Sequence, residues 1–139
     1  MSEMKRIPVE EVMSDRYETV DRMVTVVDGL RKMKRTKAEA LIVDRRNEGD
    51  EYGIVLFSDI ARKVLAKDRA ADRVNIYEIM SKPVITVDSD MDIRYCARLF
   101  DNFGLSCAPV VTDGNLVGIV SYEDMVLRGF CAQLEEGDD

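Results

Sequence analysis

Ser121 and Asp124 stand three apart where an apolar run meets a helical pattern, and they are the residues in this chain best placed to do chemistry. A hydroxyl followed three residues later by a carboxylate fits a capping box, which closes the open amides of a helix start. The same pair also sets an acceptor-rich carboxylate and a hydroxyl beside the positive end of that helix, which suits a polar ligand. Asp59 holds the matching place in Gly53-Ile54-Val55-Leu56-Phe57-Ser58-Asp59, but Leu56 replaces the hydroxyl residue there. Ser58 is therefore expected to cap that second helix start. The chain has no histidine. That removes the commonest general base and metal ligand, and with them Ser-His and Cys-His catalysis. Cys96, Cys107 and Cys131 form no CxxC pair. They read as buried thiols of a reducing compartment rather than as a zinc site.

The elements that must position these groups come from 139 residues, 46% hydrophobic and 34% charged. That composition belongs to an ordered globular chain. A net charge of −7 disfavours non-specific binding to nucleic acid or an anionic membrane. No apolar run approaches the ~20 residues that span a bilayer. The opening MSEMKRIPVEEV lacks the apolar core of a signal peptide, so a soluble cytoplasmic location is expected.

The chain repeats itself. Val9–Asp21 (VEEVMSDRYETVD) aligns with Ile76–Asp88 (IYEIMSKPVITVD) at an offset of 67, with identities at Glu11/Glu78, Met13/Met80, Ser14/Ser81, Thr19/Thr86, Val20/Val87 and Asp21/Asp88. Gly53–Ile60 (GIVLFSDI) aligns with Gly118–Met125 (GIVSYEDM) at an offset of 65, because the Asp44–Tyr52 loop is longer than Thr112–Val117. Two blocks in the same order are hard to obtain by chance.

Each half predicts a short turn (Val9–Met13; Ile76–Met80), an extended piece (Glu18–Val20; Val84–Val87), a helix, two strands and a closing helix (Ser58–Ala66; Tyr122–Leu134). The first helix of each half carries Val26, Val27, Leu30 and Met33, or Ile93, Cys96, Ala97 and Phe100, at helical spacing. Thr25 and Asp92 are the expected caps. The strands are Ala40–Val43 with Gly53–Leu56, and Ala108–Val111 with Leu116–Val120, the latter joined through a Thr112-Asp113-Gly114-Asn115 hairpin turn. The order is β-α-β-β-α, twice. Residues 1–66 form the first repeat, 67–75 a polar linker, 76–134 the second repeat and 135–139 an acidic tail. Halves of about 60 residues bury little core alone, so they are expected to pack on each other.

This doubled pattern, with "MS..VITVD", "APVV" and "GIVSYEDM" at these intervals, resembles a pair of cystathionine β-synthase (CBS) domains from about Val9 to Leu134. The second repeat is closer to the family pattern, keeping Pro109, whereas the first has Leu41 where the family often has Pro. The resemblance implies an α/β (α+β) fold of two repeats related by a pseudo-two-fold axis. It also implies homodimerisation through helices, and binding of adenine nucleotides or S-adenosylmethionine in clefts between repeats. The family's Ser/Thr and Asp imply a ribose-binding role for Ser121 and Asp124, with a carboxylate accepting from both hydroxyls of a cis-diol and the helix N-terminus facing a phosphate. By the same resemblance Ser121 and Asp124 would face Glu18, Ala38 and Glu39, while Asp59 would face Ile85, Ser106 and Cys107. Glu39 stands where phosphate-binding members often carry a base, and a carboxylate there would repel phosphate. A weak nucleotide site, an uncharged adenosine-like ligand and an empty cleft all stay open.

Other features read simply. Met23, Met33, Met91 and Met125 occupy apolar positions and are expected in the core or at helix contacts. Arg31, Arg62 and Arg98 read as solvated charges, with neutralisation of ligand phosphate as the alternative. Tyr122 and Phe57 could stack on a base or pack at a dimer face. Lys32, Lys34, Arg35 and Lys37 read as a solvated helix end, with anion or partner contact as the alternative. The expected function is a stand-alone regulatory or sensor module for an adenosyl ligand such as AMP, ADP, ATP or S-adenosylmethionine, signalling by conformational change. The alternative is a ligand-free dimerisation or protein-interaction module. No paired catalytic groups or metal cluster suggest an enzyme or a metal cofactor.

Overall fold

A computed structural model describes residues 4–82 and 84–136 of the chain, so residues 137–139 of the expected acidic tail lie outside the described residues. Capping side chains set the helix starts where the sequence places them. Thr25 is extended and its Oγ1 accepts from the Asp28 amide at 3.3 Å, so α1 (Val26–Thr36) begins there. Asp92 does the same for α3 (Ile93–Phe103), its Oδ1 accepting from the Arg94 amide at 3.1 Å. Both helices end on a left-handed residue, Lys37 (φ 60°) after the first and Gly104 (φ 65°) after the second. The apolar stripe of each helix is buried, with Val26 and Met33 in one and Ile93, Cys96 and Phe100 in the other. Each fully buried aliphatic or aromatic side chain contributes about 1.5–3 kcal/mol over an exposed one.

The strands form two three-stranded sheets of identical topology. In the first, β1 (Tyr17–Val20) runs parallel to β2 (Ala40–Val43), which pairs antiparallel with β3 (Gly53–Leu56). In the second, β4 (Val87–Asp88) runs parallel to β5 (Cys107–Thr112), which pairs antiparallel with β6 (Asn115–Ser121). The β5–β6 hairpin turns on Asp113 (φ 51°) and Gly114 (φ 80°), the two positive values that a two-residue turn matching the strand twist requires. After β3 the chain enters α2 (Phe57–Ile60) and then a wider π-helical stretch, Ala61–Leu65. After β6 a π-helical stretch, Asp124–Cys131, leads into α4 (Ala132–Glu136).

The chain divides into two compact units, and their boundary is not the repeat boundary. The central unit is Arg16–Val84; the terminal unit joins residues 4–15 to 85–136. Each lead-in turn therefore packs on the sheet of the other repeat. Val9–Glu11 lies in the terminal unit, with the Val9 amide donating to Met91 O at 2.8 Å and Ser14 bridged to Ile119 on β6. Ile76–Glu78 lies in the central unit, with the Ile76 amide donating to Val24 O at 2.8 Å and Ser81 bridged to Ile54 on β3. This explains why Met-Ser and Gly recur together. A Cβ on Gly118 would stand 2.8 Å from Met13 Sδ and 3.2 Å from Ser14 O, and one on Gly53 would stand 2.8 Å from Met80 Sδ. Glycine leaves room for the Met-Ser segment at both places, where a Cβ would push the methionine side chain aside and crowd the serine carbonyl.

Cys107 and Cys131, expected as buried thiols, are half-buried, and three further expectations differ from the structure. The extended piece Val84–Val87 pairs as a strand only at Val87–Asp88, because the Val84 amide is spent on Tyr52 O, at 3.2 Å in the central unit. Met23 is 56% exposed rather than in a core, whereas Met33 and Met125 are buried. Ser58 does not cap the second helix start. It lies inside α2, and Asp59 reaches back to cap Leu56 instead.

Candidate functional site

Each sheet ends its last strand in a buried aspartate. Asp124 Oδ2 accepts from the Ser121 amide at 2.9 Å and from Ser121 Oγ at 3.1 Å, and the Asp124 amide donates to Ser121 Oγ at 3.3 Å. The capping box is thus complete. It occupies one carboxylate oxygen, while Oδ1 has Arg128 Nη1 at 4.0 Å as its nearest cation. In the central unit Asp59 Oδ2 accepts from the Leu56 amide at 2.8 Å, and its Oδ1 has Arg62 Nη2 at 3.4 Å and Lys63 Nζ at 3.5 Å. Both carboxylates are buried, at 5% exposure for Asp59 and 2% for Asp124. Arg62, expected as a solvated charge, is exposed but leans on Asp59. Each unit thus presents a buried carboxylate, anchored by backbone amides and neighbouring cations, at a strand-to-helix turn.

The remaining candidate residues fall in both units. Ile85, Ser106 and Cys107 lie in the terminal unit with Ser121 and Asp124; Glu18, Ala38 and Glu39 lie in the central unit with Asp59. Within the terminal unit, Cys107 pairs directly across from Ser121, which places Ser106 and Cys107 at the same sheet end as the capping box. Ile85 lies two residues before β4 and is half-buried. Within the central unit, Ala40 pairs across from Leu56, which brings Ala38 and Glu39 to the end that carries Asp59. Glu39 is not a free negative charge, because Arg16 Nη2 stands 3.0 Å from its Oε1. Glu18 carries Lys32 Nζ at 3.7 Å, so part of the basic run expected to be solvated is engaged.

The two sheet ends differ in one respect that residue spacing does not announce. In the central unit Leu30, Met33, Lys34, Lys37, Ala38, Glu39 and Phe57 line an apolar-walled cavity of about 460 Å³. Phe57, at its edge, is 54% exposed. The residues equivalent to Met33 and Phe57 in the terminal unit are Phe100 and Tyr122. Their rings meet edge to face at 5.3 Å and 75°, an arrangement that fills space with favourable ring contact. One unit thus keeps an open apolar hollow beside its aspartate end, and at the equivalent positions of the other unit two rings pack together. Lys34, Lys37 and Leu30 join the candidate residues here; the sequence marks them only as part of a basic run and of the apolar stripe of α1.

Among the described residues no group of three or more Asp, Glu or Cys converges to hold a metal ion. No helix of these residues is long and apolar enough to cross a membrane.

Two βαββα units, each with a capping aspartate just past its last strand, define a tandem repeat of one small α/β domain. The family comparison agrees. The CBS domain model matches residues 9–66 and 76–128, and the chain belongs to the CBS domain family. An uncharacterised protein of Methanopyrus kandleri is 33% identical over 125 residues, covering 88% of this chain and 63% of that protein. The chain therefore spans less than two thirds of that relative. A hexameric CBS-CP12 protein from bloom-forming cyanobacteria is similar in structure, with a TM-score of 0.85 and 36% identity over 87% of this chain and 67% of the other. The CBS domain pair of protein MJ0100, solved with 5′-methylthioadenosine and S-adenosylmethionine, has a TM-score of 0.73 and 27% identity, covering 87% and 98% of the two chains.

Proposed function

We propose that this CBS pair is a regulatory module that binds an adenosyl ligand and signals through a change of conformation, and that it is not an enzyme. The observation that carries the reading is the Asp124 carboxylate, which is buried, held by the Ser121 capping box through one oxygen, and has its other oxygen available to a ribose hydroxyl. Asp59 would serve the same role in the central unit. Glu18, Ala38, Glu39, Ile85, Ser106 and Cys107 would contribute the surrounding polar and backbone contacts. The MJ0100 pair, solved with S-adenosylmethionine and methylthioadenosine, favours an adenosyl ligand over a bare phosphate. Pairing of Glu39 with Arg16 lowers the repulsion that this carboxylate would otherwise exert on a ligand phosphate. A ligand drives a conformational shift only by its differential affinity for the two states.

The test is a thermal-shift series with AMP, ADP, ATP, adenosine, methylthioadenosine and S-adenosylmethionine on wild type, Asp124→Ala and Asp59→Ala. At 100 times its Kd a ligand adds about 2.7 kcal/mol. A shift abolished by one substitution locates the ligand; no shift with any of the six refutes the reading. A second reading, self-association, is favoured by the C-terminal helical stretch, where Val126, Leu127, Phe130 and Leu134 are each about half exposed at helical spacing. We assign this face to a homodimer, and sedimentation as a monomer at micromolar concentration in ultracentrifugation would remove it.

A further inference from the structure

At the opposite end of the central sheet from Asp59, the carboxyl ends of β1 and β2 open into a cavity of about 210 Å³ lined by Thr19, Val20, Asp21, Arg22, Asp44, Arg45 and Arg46. Three of these lining residues are arginines. Arg22 lies 5.5 Å over the Tyr77 ring and Arg45 4.7 Å over the Tyr52 ring. Among the described residues neither has a carboxylate within ion-pairing distance, although Asp21 and Asp44 are their immediate neighbours in the chain. Asp21 Oδ1 is turned onto the Met23 amide at 2.8 Å and Asp44 Oδ1 onto the Arg45 amide at 2.9 Å. Arg46 is engaged by Asp50 at 3.2 Å, and Lys82 pins the same Asp50 at 2.8 Å, which anchors the loop that carries the arginines. Aromatic faces orient an arginine without consuming its N–H fork.

The equivalent sheet end of the second repeat is built differently. Ser89, equivalent to Arg22, is buried, and the Thr112 hydroxyl donates to it at 2.8 Å across the strand ends. Its hairpin there is short. The first repeat instead carries the longer Asp44–Tyr52 loop, and that extra length brings in Arg45, Arg46 and the Tyr52 platform. A loop that departs from an otherwise duplicated plan points to a role of its own.

We infer that this cavity binds inorganic phosphate. Two unengaged guanidiniums supply the fork donors that phosphate oxygens take in pairs. Asp21 and Asp44 line the same space, and they select among anions. A carboxylate accepts from the P–OH of hydrogen phosphate, whereas sulfate has no proton to donate at neutral pH and meets repulsion alone. A phosphate monoester loses its second proton near about pH 6, so at pH 7.5 an ester dianion also lacks the O–H that inorganic phosphate retains.

The experiment is calorimetric titration of the full chain at pH 7.5 and constant ionic strength with phosphate, sulfate and glycerol 3-phosphate. Saturable phosphate binding is expected, at least tenfold tighter than either competitor. Arg45→Gln and Arg22→Gln should each weaken it at least tenfold. Asp44→Asn, exposed and outside the core, should raise sulfate affinity toward that of phosphate. Asp124→Ala should leave the phosphate titration unchanged, which separates this site from the adenosyl reading. Absence of saturable phosphate binding, equal binding of sulfate by wild type, or binding that survives both arginine substitutions would overturn the inference. Tighter binding of the ester would overturn the assignment to inorganic phosphate.

Discussion

Lys37 and Gly104 occupy the same position in the two repeats, one residue past the first long helix, and exchanging their side-chain classes should move stability in opposite directions. Lys37 sits at φ 60°, ψ 32° and Gly104 at φ 65°, ψ 35°. Holding a residue with a Cβ in this left-handed region costs roughly 1–2 kcal/mol. Glycine offsets roughly 0.5–1 kcal/mol of that through its freer unfolded chain. Lys37→Gly should therefore stabilise by about 0.5–1 kcal/mol. Gly104→Ala should destabilise by a similar amount, and since no atom lies within 4 Å of an added Cβ there, its cost is backbone conformation alone. In a unit of this size 1 kcal/mol moves Tm by about 4–8 °C. Urea unfolding reads both changes as shifts in midpoint at constant slope. A midpoint that falls in Lys37→Gly, or that moves the same way in both variants, would refute the reasoning. Lys37 also lines the apolar cavity of the central unit, so stabilisation in this variant accompanied by weaker binding of charged nucleotides, but not of adenosine, would place the lysine at a ligand's phosphate side.

Acid should unfold the protein through its anchored carboxylates. Asp50 is held below the usual carboxylate range chiefly by its hydrogen bond from Lys82, Glu78 chiefly by the Asn75 amide, and Asp92 chiefly by Arg94. Because the folded state lowers these pKa values, their stabilisation is complete above the ordinary carboxylate value of about 4 and is lost as pH falls below it. Melting temperature should be flat from about pH 7 to 5 and drop below about pH 4.5, with a shallower drop in Lys82→Gln. Without ligand, Asp124→Ala should cost about 0.5–2 kcal/mol through loss of the cap, whereas Asp124→Asn, which keeps an acceptor, should cost less in the same urea assay. Burial pushes the Cys96 thiol up to about 11, so Ellman's reagent at pH 8 should modify Cys107 and Cys131 and reach Cys96 only on unfolding.

Repeat and capping chemistry were the legible parts of this fold. Thr25, Asp92 and the Asp113-Gly114 turn act through backbone amides a few residues away, so their spacing alone announces them. The two βαββα units followed from the same local rules. What spacing could not announce was tertiary exchange. The Met-Ser pairs read as part of the repeat they precede, yet Met13 and Met80 pack over Gly118 and Gly53 of the other repeat's sheet, a contact between residues far apart in the chain. Ser58 failed as a cap for a related reason. The helix starts two residues earlier than a Ser58 cap allows, and Asp59 reaches Leu56 from inside it.

The candidate site divides along the same line. Asp124, Ser121 and Asp59 were visible because a cap and a ligand acceptor demand the same residue types at the same place, and the geometry commits one oxygen of each aspartate to the cap. The charge of Glu39 was visible but its consequence was not, since Arg16, which neutralises it, is set opposite only by the pairing of β1 with β2. Divergence between the repeats is the informative signal beyond that. Where the two halves agree, as at the capped aspartates, the shared chemistry is structural first. Where they disagree, at Met33 and Phe57 against Phe100 and Tyr122, and at Arg22 and the long loop against Ser89 and a short turn, one copy has been filled and the other left open. Packing favours filling both, because an empty apolar hollow forfeits contacts without compensation. An open copy beside a filled twin is therefore the place to look for a ligand.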